Sequence, residues 1–361
     1  MSLQTDQKNT GQTRTRTHFL WVFALFILFL LIILFIDLAV GSVNIPLRSV
    51  LNIILGQAGE KSSWTDIMLK IRLPKAITAM LVGAALSVSG LQMQTLFRNP
   101  LADPFILGIN SGAGLGVALV ILGFGTTGSI LLAGLGLFGD LSLAVAGSMG
   151  AGAVLLLVLI IGRRINNPIT LLIMGLMFGY ATSAIVSLLI YFSLPERIQT
   201  YTLWSYGSFG GVTWNQLKVM APAVISGLLI SFALPKSLNA LLLGENYART
   251  MGLNVKRTRF WILFGASILA GVVTAFCGPI GFIGVAVPHL CRSLLNTSDH
   301  KRLLPAVTII GASIALIADV IAQLPGTQYI LPINVVTSLF GAPFIVYIIL
   351  RQRRVKSTFT G

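Results

Sequence analysis

The chain has 361 residues, 55% of them hydrophobic and only 10% charged, with a net charge of +15. A soluble domain carries about 25% charged residues, so few charges among long apolar runs exclude a soluble globular domain and point to lipid as the solvent. No basic patch interleaved with aromatics is present, which sets nucleic acid aside; the positive charge instead has the pattern of loops that fix membrane topology.

Residues 1–17 read as a polar tail. The run from Phe19 to Ile36 is apolar without interruption, long enough to cross the hydrocarbon core as a helix. It is longer than the about 7–15 apolar residues of a secretory signal. A loose Ala-x-Gly cleavage sequence lies at Ala39 and Gly41, but the run is expected to be a retained first span. Ten spans follow from the apolar pattern, at about 18–40, 76–97, 105–124, 139–162, 170–193, 217–234, 258–277, 280–296, 304–322 and 333–350. The chain is thus expected to be all-α and polytopic. A membrane-spanning domain over 18–350 follows the tail 1–17 and precedes a tail at 351–361. Between spans, residues 42–75 and 194–216 are expected to form short helices on one membrane face.

With the N-terminus inside, 18 of the 25 Lys and Arg fall on cytoplasmic segments and 7 on outer ones. That bias predicts both termini in the cytoplasm and an even number of spans.

The second span carries Gly83, Ser87, Gly90 and Gln94 at helical spacing, one small and polar stripe. Two readings stand: a tight seam between helices, or a lining for a polar path. Asp37 and Asp319 are carboxylates at the outer ends of spans. Such residues are functional candidates by default, although solvation or hydrogen bonding near the interface is the favoured account of them. Asp319 shares a stripe with Gly311 and Ala315 and is expected to face protein.

Catalytic and metal chemistry find little support. Cys277 and Cys291 have no ligand spacing and read as small buried hydrophobes. His289 and Cys291 are too few for a metal site. No HExxH sequence and no Ser-His-Asp arrangement is evident. No Gly-x-x-x-x-Gly-Lys-Ser/Thr loop occurs, so the chain is not expected to hydrolyse ATP.

Several motifs then appear in order: RLPK at 72–75, GAALSVSGLQMQTLFRNPLADPFILGINSGAG at 83–114, and WSYGSFGGVTW at 204–214. They continue with LGENYARTMGL at 243–253, GPIGFIGVAVPH at 278–289 followed by DHK at 299–301, and PINVVTSLFGAP at 332–343. Over about 20–355 the chain closely resembles the FecCD-type permease family of ATP-binding-cassette (ABC) importers for iron–siderophores, haem and cobalamin.

The resemblance implies a type II ABC importer permease fold with ten helices, non-catalytic and in the inner membrane. It implies a second permease subunit, identical or not, two ATPase subunits that bind ATP and Mg, and an external substrate-binding protein. No cofactor is implied on this chain. Ferric siderophore is the first substrate reading, with haem or cobalamin as alternatives; an ion-coupled secondary carrier is the rival from another class.

The resemblance also implies roles. Residues 239–254 resemble coupling helices that dock on the ATPase, with Leu243, Gly244, Glu245, Ala248, Arg249, Met251 and Gly252 as the motif positions. Gly244 and Gly252 would permit tight turns, and Glu245 and Arg249, four apart, would pair with each other or with the ATPase. Arg72 and Lys75 match basic positions that meet the binding protein. Asn99 and Leu101 resemble one inner gate, and Asn167, Pro168 and Ile169 a second. Lys75 stands where Arg is common, and Gln323 where an Arg often follows Asp319.

Overall fold

The computed structural model describes residues 3–41, 43, 45–57, 61–124, 140–162, 168–324 and 329–358. Among them the secondary structure is helical. Among the described residues seven helices are long and apolar enough to cross a membrane, and three shorter apolar helices lie over Ile109–Gly123, Ile283–Leu295 and Ile333–Ile348. Each of these ten overlaps a span expected from the sequence, although the second begins at Ser62, well before the expected 76.

Helix α1 (Leu3–Ala39) leads to the short α2 (Leu47–Ile54) and α3 (Ser62–Ile67). A π-helical turn over Met68–Arg72 feeds α4 (Leu73–Leu96). Then come a 3₁₀ turn (Pro104–Leu107), α5 (Ile109–Ala118) extended by a π-helical segment to Phe124, α6 (Asp140–Gly162) and α7 (Pro168–Tyr191). Another short helix, α8 (Pro195–Ser205), precedes α9 (Trp214–Phe232). Two short helices, α10 (Pro235–Leu242) and α11 (Glu245–Thr250), lead into α12 (Val255–Cys277). The chain finishes with α13 (Ile283–Leu295), α14 (His300–Ala322) and α15 (Ile333–Thr358).

Local sequence explains where these helices start. Thr213 and Gln216 form a reciprocal capping box at α9. Asn254 caps α12 through the Arg257 amide, and Asp299 caps α14 through the Lys301 amide. Pro74, Pro195 and Pro235 stand in the first turns of α4, α8 and α10, where the missing N–H costs no helix bond.

The core is built around α4, which packs against α14, α12, α13 and α9. Nearly every residue from Val82 to Leu96 is buried. Apolar side chains gain little by leaving lipid, so close approach of backbones must supply the packing. The 83–94 stripe supplies it. A methyl group at Gly83 would overlap the Gly311 carbonyl of α14, and one at Gly90 would overlap the Gly284 carbonyl of α13. Ser87 lies against Gly311, and the Gln94 amide donates to the Val285 carbonyl at 3.2 Å. The stripe is a helix seam and not the lining of a polar path.

By contrast α1, α7 and α15 present broad apolar faces, with Leu25, Leu28 and Leu31, then Tyr180 and Leu188, then Leu339 and Phe340 exposed. Cys277 and Cys291 are free thiols buried in the core. Among the described residues no group of three or more His, Cys, Asp or Glu could hold a metal ion.

Candidate functional site

The helices alternate between two ends of the bundle. One end gathers Arg98, Lys236, Arg249, Lys256 and Lys301 and is here the basic end; Arg302 there lies over the Phe19 ring of α1, its guanidinium carbon 3.6 Å from the ring centre. At this end α10 and α11 form a short helical pair. Leu238 and Leu241 of α10 and Ala248 of α11 are buried, and α10 packs on α4 and α14.

The break between the two helices is made by Gly244 at φ +114°, and the turn after α11 by Gly252 at φ +83°. Both values lie in the left-handed region that a Cβ disfavours. The tight turns expected at these two glycines are present. Leu243, Tyr247 and Met251 project outward, more than half exposed. A groove of about 730 Å³ runs between this pair and the chain around Arg98, with Ile169 from the start of α7 on its wall.

Glu245 holds α11 to the bundle. Its carboxylate meets the buried Arg259 guanidinium of α12 at 2.5 Å, while Arg249, half exposed, lies 3.7 Å away. The four-residue spacing had singled out Arg249, but Arg259 is the closer partner. No local spacing could have found it, because it stands fourteen residues away on another helix.

Beneath the pair, the Asn239 amide donates to Asp299 at 2.6 Å. Partial burial pushes the Asp299 carboxyl up, but the bonds from Asn239 and the Lys301 amide, with the charges of Arg302 and Lys301, outweigh it and hold the group below its ordinary value.

The positions expected as gates are partly reunited here. Asn99 closes the turn after α4, its side-chain oxygen accepting from the Leu101 amide at 3.0 Å, and Leu101 is exposed. Ile169 is 64% exposed and borders the same groove as Leu243 to Glu245. Pro168 opens α7; Asn167 lies outside the described residues. Arg98, which sequence reasoning did not single out, faces Gly244 across the groove and has a left-handed φ of +48°.

The opposite end holds the two positions expected to meet the binding protein. Arg72 is only 8% exposed. Its guanidinium donates to the carbonyls of Leu38 and Ala39, both at 2.8 Å, and also to Val43. It thus caps the C-terminus of α1, where helical carbonyls have no intrahelical donor. Lys75 pairs with Asp319 at 2.8 Å. Gln323 bridges that carboxylate, at 2.9 Å, and Asp37, at 3.3 Å. Arg72 and Lys75 therefore do not stand as free surface charges; they tie α1, α4 and α14 together. Asp37 and Asp319 are both buried, within this network.

Comparison with known proteins gives the same architecture. The FecCD transport family matches residues 28–351. The hemin transport system permease protein HmuU of Yersinia pestis is 36% identical over 327 residues, 91% of this chain and 96% of its own length. The vitamin B12 import system permease protein BtuC of Klebsiella pneumoniae is 38% identical over 333 residues, 92% of this chain and 94% of its own. A solved structure of an ABC transporter assigned to the metal-chelate type, in an inward-facing conformation, superposes with a TM-score of 0.79 at 28% identity, covering 91% of this chain and 99% of that one. The chain belongs to the FecCD transport family and has the all-α, polytopic fold of an ABC importer permease.

Proposed function

We propose that this chain is the membrane-spanning subunit of an ATP-driven importer that carries a bulky metal chelate across the inner membrane. The observation that carries the reading is the α10–α11 pair. It is anchored by buried leucines, turned by two left-handed glycines, and presents Leu243, Tyr247 and Met251 outward at the basic end. Exposed apolar side chains on a charged face are the signature of a protein partner, and a separate ATPase is that partner in this reading.

The basic end then faces the cytoplasm, with both termini there. ATP and Mg belong to two ATPase subunits, and this chain is non-catalytic with no cofactor of its own. A second permease, identical or not, completes the path, and an external binding protein delivers the chelate. Leu243, Gly244, Glu245, Ala248, Arg249, Met251 and Gly252 form the coupling surface. Asn99 and Leu101 with Asn167, Pro168 and Ile169 form gates at the inner mouth. Transport is by alternating access, driven by ATP turnover in the partner, since differential affinity alone only shifts populations.

Ferric siderophore is the first substrate reading. A second reading, haem or vitamin B12, is favoured by the relatives named for those two ligands. Mild purification from native membranes followed by mass spectrometry tests the importer. A stoichiometric ATPase chain carrying a phosphate loop is expected to accompany this one. Vesicles holding that complex, supplied in turn with a ferric hydroxamate siderophore, hemin and cyanocobalamin, then discriminate the ligands. Recovery of this chain alone, with ion-driven uptake that needs no ATP, would establish a secondary carrier instead.

A further inference from the structure

The inner ends of three helices are joined by a hydrogen-bond chain that the coupling motif does not include. Asn239 lies in α10. Its side-chain oxygen accepts from the backbone amide of His300 at 2.9 Å and lies 2.7 Å from the His300 Nδ1. That oxygen can only accept, so Nδ1 carries the proton. On the other side of the ring, Nε2 lies 2.8 Å from the Thr95 hydroxyl in the last turn of α4. The Thr95 hydroxyl also lies 2.8 Å from the Leu91 carbonyl of its own helix, so its single proton is shared between that oxygen and Nε2, which accepts in the neutral ring. Thr95 and His300 are each 1% exposed, so water does not compete for these bonds.

The chain has a second anchor at each end. The Asn239 amide donates to Asp299, which also receives the Lys301 amide at 3.0 Å as the cap of α14. One residue before Thr95, Gln94 accepts from Arg292 at 2.6 Å and donates to Val285, both on α13. The last turn of α4 is therefore held on one side by α13 and on the other by α14 and α10.

We propose that Asn239, His300 and Thr95 form a relay that delivers movement of the α10–α11 pair to the inner end of α4. The inference rests on the importer reading and names positioning residues within it. Leu238 and Leu241 also fix α10 to the bundle, but apolar contact is non-directional and lets a short helix slide. A buried hydrogen-bond chain does not slide. Pulling α10 away leaves the Nδ1 proton of His300 without its acceptor in a dry interior, which is costly, so α10 and the start of α14 move together, and the His300–Thr95 contact ties that end of α14 to α4. The Thr308 hydroxyl of α14 bonds the Leu304 carbonyl of its own helix at 2.8 Å, as Thr95 meets that of Leu91, but it makes no bond to a second helix.

The test uses the full complex in liposomes, with ATP hydrolysis and uptake measured together. The probe is whichever of hemin, cyanocobalamin and a ferric hydroxamate siderophore the wild type accumulates. Asn239→Ala, His300→Ala and Thr95→Val are each expected to lower uptake per ATP hydrolysed about five- to tenfold. The Asn239→Ala/His300→Ala double variant is expected to be no worse than either single one, since both break one path. Thr95→Val preserves the side-chain shape and answers the question where His300→Ala misfolds. Thr308→Val is expected to leave the ratio unchanged. Uptake per ATP at the wild-type level in Thr95→Val and Asn239→Ala would overturn the relay, as would a parallel fall of uptake and hydrolysis, which marks a merely structural role. A wild-type complex without ATP-driven uptake of any probe would remove the importer reading and the relay with it.

Discussion

The Lys75 ammonium lies 2.8 Å from the Asp319 carboxylate and joins the first turn of α4 to the last turn of α14. Both charges are largely withdrawn from solvent, with side chains 17% and 3% exposed. Gln323 steadies the same carboxylate from one turn further on. Removing one member of a buried pair strands the other charge. Lys75→Met is therefore expected to cost about 3 kcal/mol of stability, read as a lower midpoint in thermal unfolding of the purified protein. Lys75→Met/Asp319→Leu, which removes both charges, is expected to recover most of it. A Lys75→Met protein of wild-type stability with weakened capture of the binding protein would support the docking role instead.

The seam of α4 makes a sharper prediction about shape. Gly90→Ala places a methyl group on the Gly284 carbonyl, where backbone and not a flexible side chain stands in the way. The expected loss is about 2 kcal/mol or more. Gly152→Ala in α6 is the control, because nothing lies within 4 Å of the added methyl group. Thermal unfolding of the two variants side by side separates steric overlap from the general effect of replacing a helical glycine.

Glu245 and Arg259 predict the behaviour of the coupling surface. Glu245→Gln weakens the 2.5 Å contact that holds α11 on α12, and Arg259→Met removes it. Each is expected to weaken ATPase association about tenfold, equivalent to about 1.4 kcal/mol, in a titration of detergent-solubilised permease with its ATPase. Arg249→Ala removes only the longer contact of 3.7 Å at a half-exposed site. Through that intramolecular pair it is expected to change stability by less than about 0.5 kcal/mol. Any larger effect on association would then come from a direct bond between Arg249 and the ATPase.

Asp103 carries a pH prediction. It lies in the turn between α4 and α5 and accepts from the Phe105 amide at 2.8 Å. Burial pushes its carboxyl up to about 6, against the opposing pull of that amide. A carboxyl raised on folding binds its proton more tightly in the native state. Stability is then greatest below the unfolded value and falls as pH rises from about 4 to about 6, levelling above that. Asp103→Asn keeps the acceptor oxygen and removes the titration. It is expected to flatten that slope and to gain about 3 kcal/mol near neutrality, checked by unfolding midpoints between pH 4 and 7.

The spans were legible in the chain because the solvent imposes them. A hydrocarbon core demands about twenty apolar residues per crossing and satisfied backbone groups throughout, so Phe19–Ala39 and the later runs announce themselves locally. The two turns at Gly244 and Gly252 were legible for a similar reason: a left-handed backbone needs a residue without a Cβ, whatever surrounds it. The stripe at Gly83, Ser87, Gly90 and Gln94 was legible as a face but not as a contact. Small residues suit a seam and a pathway equally, and only the carbonyls of Gly311 and Gly284 lying against it decide between them.

Partners across the fold were beyond the reach of the sequence. Resemblance gave Arg72 and Lys75 an outward role, and nothing along the chain showed that one caps the carbonyls of α1 and the other meets a carboxylate 244 positions away. Spacing paired Glu245 with Arg249, and the fold brings Arg259 closer. Asn239, His300 and Thr95 come from three separate segments and share no pattern along the chain. Hydrophobic periodicity and backbone stereochemistry act over a few residues, so the sequence by itself determined the number of spans, their polarity bias and the glycine turns. Ion pairs and hydrogen bonds act over about 3 Å in space without regard to position in the chain, so which charges are buried and which helices move together was decided only by the tertiary structure.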